Sequence, residues 1–209
     1  MAIDELLDEH EQSERVLQWL RNNALGLLGG IALGLGAIGG WKWWQHQATQ
    51  EKLAEADRYA VAVEAIDAGQ PNAAELGAGL QPGMLSTLAA LELAKSQAAA
   101  GEADKAIATL QGIQEADPAL KSVIDQRQAR LLIDAGKAAE AARLMAAEDS
   151  ASGLEVLGDA HYALGDHAAA RGSYEKALAK MDVGSPLRRL LELKLTEVGG
   201  TPAEDEAKS

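Results

Sequence analysis

The sequence has no cysteine and no phenylalanine, and only three tyrosines among 209 residues. The missing cysteine excludes disulfides, zinc ribbons, thiol nucleophiles and a lipid-attachment cysteine. It leaves the compartment open, since such a chain suits the cytosol and the bacterial periplasm alike. Strands favour aromatic and β-branched residues, so an aromatic content of 3% works against a β fold. Alanine is abundant instead, with Leu, Glu, Lys and Gln, the strong helix formers. Composition alone predicts an all-α protein.

Positive charge is also scarce. Nineteen basic residues face 32 acidic ones, for a net charge of -13. Six of the acidic and three of the basic residues precede residue 45, leaving 26 against 16 in the remainder. A surface of that sign repels nucleic acid, whose binding needs Lys and Arg to neutralise phosphates, so no nucleic-acid partner is expected. It also repels anionic head groups. Protein partners fit better, including partners with basic segments, although acidity also serves solubility.

One long apolar run is present. Residues 24–40 read ALGLLGGIALGLGAIGG, seventeen residues without a charge. The stretch 23–44 is long enough at 1.5 Å per residue to cross a hydrocarbon core of about 30 Å. Trp41, Trp43 and Trp44 suit the membrane–water interface, and Lys42 can snorkel. The acidic residues before the run, and tryptophans where cleavage would fall, argue against a removable signal peptide. Gly26, Gly30 and Gly34 step four residues apart, a face that lets a second membrane helix approach closely. Arg15 and Arg21 on one side and Lys42, Lys52 and Arg58 on the other leave the orientation undecided by charge. Residues 1–22 form a tail whose Ile3, Leu6, Leu7, Val16, Leu17 and Leu20 fall at helical spacing.

Residues 45–200 read as paired helices. Three units align on their turns: LELAKSQAAAGEADKAIATL, ARLLIDAGKAAEAARLM and LGDAHYALGDHAAARGSYEKAL. The turn glycines are Gly101, Gly136 and Gly165, and five residues after each stands an alanine, Ala106, Ala141 and Ala170. The turns lie 35 and 29 residues apart, near the period of about 34 of a tetratricopeptide repeat. Glycine ends the first helix in a left-handed cap, and the small residue lets the second helix close up. The third unit carries the fullest set, with Leu157, Gly158, Ala170, Tyr174 and Ala177; the middle unit is degenerate. The region from Gly69 to Gly83 reads as loops around a short segment. Residues 186–198 read as a capping helix with Leu187, Leu190, Leu191 and Leu195 on one apolar face. Residues 201–209 are expected to be a disordered polar tail. The predicted architecture is all-α, a single N-terminal transmembrane helix followed by a TPR-like helical-hairpin solenoid.

Catalytic patterns are missing. His10, His46, His161 and His167 form no metal motif, and no phosphate loop, nucleophile elbow or Ser-x-x-Lys occurs. Glu102 and Asp104 sit at a helix start and read as partners of the helix dipole. No cofactor, metal or enzymatic activity is expected.

The acidic tail, the Gly-rich span ending in WKWW, the three hairpins and SPLRRLLELKL, in that order, resemble the YfgM family over nearly the whole chain. The resemblance implies a bacterial inner-membrane protein with a cytoplasmic N-terminus and a periplasmic TPR-like domain. It implies an ancillary subunit of the SecYEG translocon, acting with the chaperone PpiD on exported polypeptides. A link to restraint of the stress regulator RcsB from the cytoplasmic side is also implied. The alternative is a cell-envelope assembly or division adaptor on the same scaffold. The degenerate middle unit and the lack of Phe at every aromatic repeat position depart from the family, and at His161 the third unit departs from the tetratricopeptide pattern, where an aromatic Tyr is usual.

Overall fold

The computed structural model describes residues 2–113 and 116–202, with side chains described from residue 13 onward. Among the described residues every regular element is an α-helix. In chain order they are α1 (Ala2–Asp67), α2 (Ala73–Ala78), α3 (Met84–Ala99), α4 (Ala103–Gln111), α5 (Pro118–Asp134), α6 (Ala138–Met145), α7 (Ala151–Ala163), α8 (His167–Lys180) and α9 (Arg188–Glu197). The chain divides into two compact units, Met1–Ala54 and Glu55–Ser209. The tail expected from residue 201 lies, from 203 onward, outside the described residues, as do the side chains of Ile3, Leu6, Leu7 and His10.

The first unit is carried by α1 alone. Its apolar stretch is long and apolar enough to cross a membrane, and none of that window is buried. Leu25, Leu28, Ile31, Leu33, Leu35 and Ile38 are all exposed. A helix at the core of a soluble protein hides such residues. In lipid an α-helix satisfies every backbone group internally, so the seven glycines of the run, costly to helices in water, are tolerated there. Trp41 and Trp44 lie with ring centroids 5.5 Å apart, tilted at 49°.

The second unit repeats one turn. Gly69, Gly101, Gly136, Gly165 and Gly199 all take φ between 62° and 81°. At each, the glycine N–H donates to the carbonyl three residues back and the next N–H to the carbonyl five back, over 2.7–3.0 Å. This is the Schellman closure, which needs a left-handed residue and so selects glycine. Gly69 makes the same turn at the end of α1, and the short segment after it is α2. Helix starts are fixed by ordinary caps. The side chains of Asp117, Ser150 and Asp166 accept from the N–H groups of Ala119, Gly153 and Ala169 at 2.9–3.0 Å.

Counted from the turn glycine, the three hairpins α3–α4, α5–α6 and α7–α8 share one register. Seven residues before it stands a small buried residue: Ala94, Ala129 or Gly158. Five after it stand Ala106, Ala141 and Ala170, all 0% exposed. Nine after it stands a large buried one: Leu110, Met145 or Tyr174. The pairing is tightest in the third hairpin, where a Cβ on Gly158 would lie 2.3 Å from Tyr174 Cε1. The aromatic place of the repeat is therefore filled by Leu, Met and Tyr, which is how the chain dispenses with Phe.

Each hairpin has its own core, completed by the next helix along. Leu91, Ala94, Ala106 and Leu110 pack with Ile124 of α5. Ala129, Leu132, Ala141 and Met145 pack with Val156 and Ala160 of α7. Ala170, Tyr174, Ala177 and Leu178 pack with Leu191 and Leu195 of α9. At the front end, Ala62, Ala65 and Ile66 of α1 pack with α2 and α3 through Ala73 and Ala89. This nearest-neighbour stacking is the construction of a solenoid. The short second period, 29 residues between turns against 35, comes mainly from α7, 13 residues long against 17 for α5, since α4 and α6 have 9 and 8. The terminal helix differs from expectation. It begins at Arg188 and buries Leu191, Leu195 and Val198, while Leu187 and Leu190 remain exposed, as does Leu193. Residues 191, 195 and 198 follow the i, i+4, i+7 spacing of one face, and 187 lies outside the helix as its N-cap.

Candidate functional site

The first helices of successive hairpins, α3, α5 and α7, lie in sequence along the second unit, and α9 follows them. The seams between them are the surface a solenoid offers to partners. The residue six before each turn glycine, beside the small buried position, is Lys95, Arg130 or Asp159.

The seam between α7 and α9 is closed by charge. Lys194 Nζ of α9 lies 2.7 Å from Glu155 Oε1 and 2.9 and 2.8 Å from the two oxygens of Asp159. Tyr174 of α8 donates its hydroxyl to Asp159 Oδ1 at 2.8 Å. Glu155 and Asp159 stand four apart on one helix face, where two like charges repel. Lys194 resolves that repulsion. Burial works against the Lys194 ammonium, but the hydrogen bonds to Asp159 and Glu155 outweigh it and hold its pKa above the ordinary value. Burial also drives the Tyr174 phenol well above its usual range, and the neighbouring Asp159 carboxylate adds to the effect. At the rim, Tyr162 donates to Glu197 Oε1 at 2.6 Å and meets the His167 ring edge-on at 5.5 Å.

The seam between α5 and α7 is filled by packing: Val156 and Ala160 are both 0% exposed. The seam between α3 and α5 is only partly filled, by Ile124 against Leu91 and Ala94. There Arg127 and Leu131 hold the register places of Val156 and Ala160. A cavity of about 230 Å³ opens, floored by Leu91, Ala94, Ala98, Leu110 and Leu131. Its rim carries Lys95, Arg127 and Arg130. Lys95 is bridged to Glu92 at 2.8 Å. Among the described residues, neither Arg127 nor Arg130 makes a hydrogen bond or ion pair, and both are exposed. A larger cleft of about 510 Å³ between α2, α3 and α4 is lined by uncharged residues, including Ala74, Gly77, Ala90 and Leu93.

The residues expected for repeat packing sit at the hairpin contacts. Gly101, Gly136 and Gly165 form the turns, while Ala106, Ala141, Ala170, Tyr174 and Ala177 are buried and Leu157 is half-buried. Gly26, Gly30 and Gly34 meet open space: a Cβ at any of them would touch nothing within 4 Å. Asp104 accepts from Lys137 of the next hairpin at 2.7 Å, so it links neighbouring turns as well as starting its helix. The hydrogen bond from Lys137 holds the Asp104 carboxyl below its usual range. Among the described residues no group of three His, Asp or Glu is placed to hold a metal ion.

Sequence reasoning did not single out Lys95, Arg127, Arg130, Glu155, Asp159 or Lys194. A signal existed. Glu155 and Asp159 form an i, i+4 like-charge pair that requires a cation from elsewhere, and Lys95 and Arg130 recur at the same distance from their turns.

Residues 17–200 match the family described as a tetratricopeptide repeat-like domain. The chain is also similar to a protein of Escherichia coli (strain K12), the ancillary SecYEG translocon subunit. The two are 30% identical over 203 residues, covering 91% of this chain and 97% of that protein. The family resemblance and the all-α, TPR-like fold read from the sequence are both borne out.

Proposed function

The chain belongs to the tetratricopeptide repeat-like family of the ancillary SecYEG translocon subunit, and from that membership we propose that it is an ancillary, non-enzymatic subunit of the SecYEG translocon. The observation that carries this reading is the near full-length similarity, which takes in both the apolar span and the hairpins. The span at 23–44 anchors the chain in the inner membrane. Residues 1–22 face the cytoplasm and residues 45–200 face the periplasm. Gly26, Gly30 and Gly34 form the face against which a helix of the membrane partner packs; their open surroundings support that role. The stacked hairpins act as a scaffold or co-chaperone beside a PpiD-like chaperone and receive exported polypeptides. The cytoplasmic end restrains an RcsB-like regulator.

Affinity purification of the tagged full chain from detergent-solubilised bacterial membranes tests the assignment. SecYEG is expected in the eluate, and Gly30→Leu with Gly34→Leu is expected to deplete it. Failure to recover SecYEG from the unaltered chain removes the translocon assignment. The absence of cysteine makes the orientation testable as well. A cysteine introduced at Ser185 should react in whole cells with a maleimide that reaches the periplasm but not the cytoplasm. One introduced at Ala2 should react only after lysis. The reverse pattern would invert the topology.

A further inference from the structure

We propose that the outward face of α9 is a self-association surface, on which a second copy of this chain packs its own α9 antiparallel about a two-fold axis, with leucines at the centre and Arg189 of each copy against Glu197 of the other.

The first support is an apolar face where a solenoid needs a polar one. The last helix has no further repeat to cover its outer side. α9 buries Leu191, Leu195 and Val198, yet away from them it carries Leu190 and Leu193, 48% and 56% exposed, with Leu187 exposed at the N-cap. Leu190 and Leu193 stand three apart and are neighbours on the helix surface. Among the described residues of the second unit, no other helix exposes two leucines.

The second support is the order of charge, which identifies the occupant. Arg188 and Arg189 stand at the N-terminal end of α9 and Glu197 at its C-terminal end, the reverse of what the helix dipole favours. Arg189, Leu193 and Glu197 step four residues apart along one stripe of the helix. That stripe, basic then apolar then acidic, is complementary to itself when run backwards. Residues 189 and 197 are equally far from 193, so pairing them across two copies puts the two Leu193 side chains together at the axis. Within one copy Arg189 meets Glu192 at 3.6 Å, and its side chain stays 80% exposed. Glu197 accepts the Tyr162 hydroxyl through Oε1; a guanidinium arriving at Oε2 does not compete with it. The contact is isologous, so it closes at two copies. One ten-residue helix per copy is a small interface. Chains held by their apolar spans in one membrane meet at a raised effective concentration, which offsets that.

The chain has no cysteine, so one introduced thiol reports the contact, and the readout does not depend on the translocon assignment. Full chains carrying Leu193→Cys, in two differently tagged forms, are oxidised with copper phenanthroline in isolated membranes. A disulfide-linked dimer holding both tags is expected, and Lys105→Cys, on the exposed side of α4, should give about fivefold less. Added to Leu193→Cys in both copies, Arg189→Glu or Glu197→Arg should each lower the yield about fivefold or more, since like charges then meet. Arg189→Glu in one copy with Glu197→Arg in the other should restore the mixed-tag dimer, because both contacts of that pair are again opposite in sign. Leu190→Gln should also lower the yield. Leu190 and Arg189 are exposed, so their variants should melt within about 2 °C of the parent. A yield from Leu193→Cys no higher than from Lys105→Cys, charge reversals without effect, or a mixed pair that stays unlinked would overturn the proposal. So would a Leu193→Cys thiol that links to a different protein in place of its own copy, assigning the face to a heterologous partner. Shielding of that thiol from maleimide by phosphatidylglycerol vesicles, in a chain that forms no dimer, would assign the face to lipid and overturn it as well.

Discussion

The seam between α7 and α9 and the seam between α3 and α5 are built on the same helical register, yet one is closed and the other open. In the first, Gly158 admits the Tyr174 ring, Tyr174 holds Asp159, and Lys194 bridges both carboxylates of α7. In the second, alanine and leucine take the places of glycine and tyrosine, and cations take the place of the acid. A tetratricopeptide-like scaffold thus fixes where side chains stand, while their size and charge at equivalent places differ from one seam to the next. Closing a solenoid end in this way also shields its last core from water, as a terminal cap must.

The difference can be broken hardest at Gly158. In Gly158→Val the new Cβ would have to occupy the space of the Tyr174 ring, which is 2% exposed and cannot swing aside. A loss of about 3 kcal/mol is expected from overpacking, seen as a melting temperature lower by about 6–12 °C for a unit of this size. Thermal unfolding of the full chain in detergent, followed by helical circular dichroism, measures it. A melting point within 2 °C of the parent would show that the contact is not formed.

Next comes Lys194→Met, which leaves Glu155 and Asp159 facing each other without their cation. Full burial would make this cost higher, but the three side chains remain 11–25% exposed, so a loss of about 2 kcal/mol is expected. The same cluster predicts an alkaline limb. Lys194 and Tyr174 both hold their protons more tightly in the folded chain than at their ordinary values of 10.5 and 10.0. The unfolded chain releases those protons first, so the stabilisation is full below about pH 10 and falls as pH rises beyond it. Lys194→Met with Tyr174→Phe should flatten that limb in denaturant titrations; an equally steep fall would place the titrating groups elsewhere.

A smaller effect belongs to the turns that both seams share. Gly136→Ala places a Cβ at φ 74°, with open space around it, so only backbone strain opposes it, about 1 kcal/mol. The same cost is expected at Gly101 and Gly165, and unequal costs would show that the turns are not equivalent. The smallest effect falls in the open seam. Arg127→Gln and Arg130→Gln remove exposed charges that have no partner among the described residues, so stability should move by no more than about 0.5 kcal/mol. A marked loss there would mean that the seam is closed after all.

Local devices were legible in the sequence because their causes are local. An uninterrupted apolar run declares a span, and glycine followed five residues later by alanine declares a helical hairpin. Gly69 was harder to read. Pro71, two residues on, made the segment look like a loop, although the turn it forms is the same as the other four. The contacts of Lys194 with Glu155 and Asp159 join residues 39 and 35 apart, and only the packing of α9 against the α7–α8 hairpin brings them together. The exposure of Leu187 and Leu190 was hidden for a related reason. Four leucines crowd one helix, and which of them face the core depends on the angle at which α9 lies against α8. That Arg127 and Arg130 have no partner among the described residues is a property of their neighbours, which only the assembled seam reveals.

The most direct test of charge closure at one end of the solenoid is a double-mutant cycle between Lys194→Met and Asp159→Asn, read by urea unfolding of the full chain in detergent. Closure predicts that the two changes are coupled by about 1–2 kcal/mol, each costing little once the other is made. Strictly additive losses, with coupling below about 0.3 kcal/mol, would mean that the ammonium and the carboxylate do not meet in solution and that the two seams do not differ in the way described.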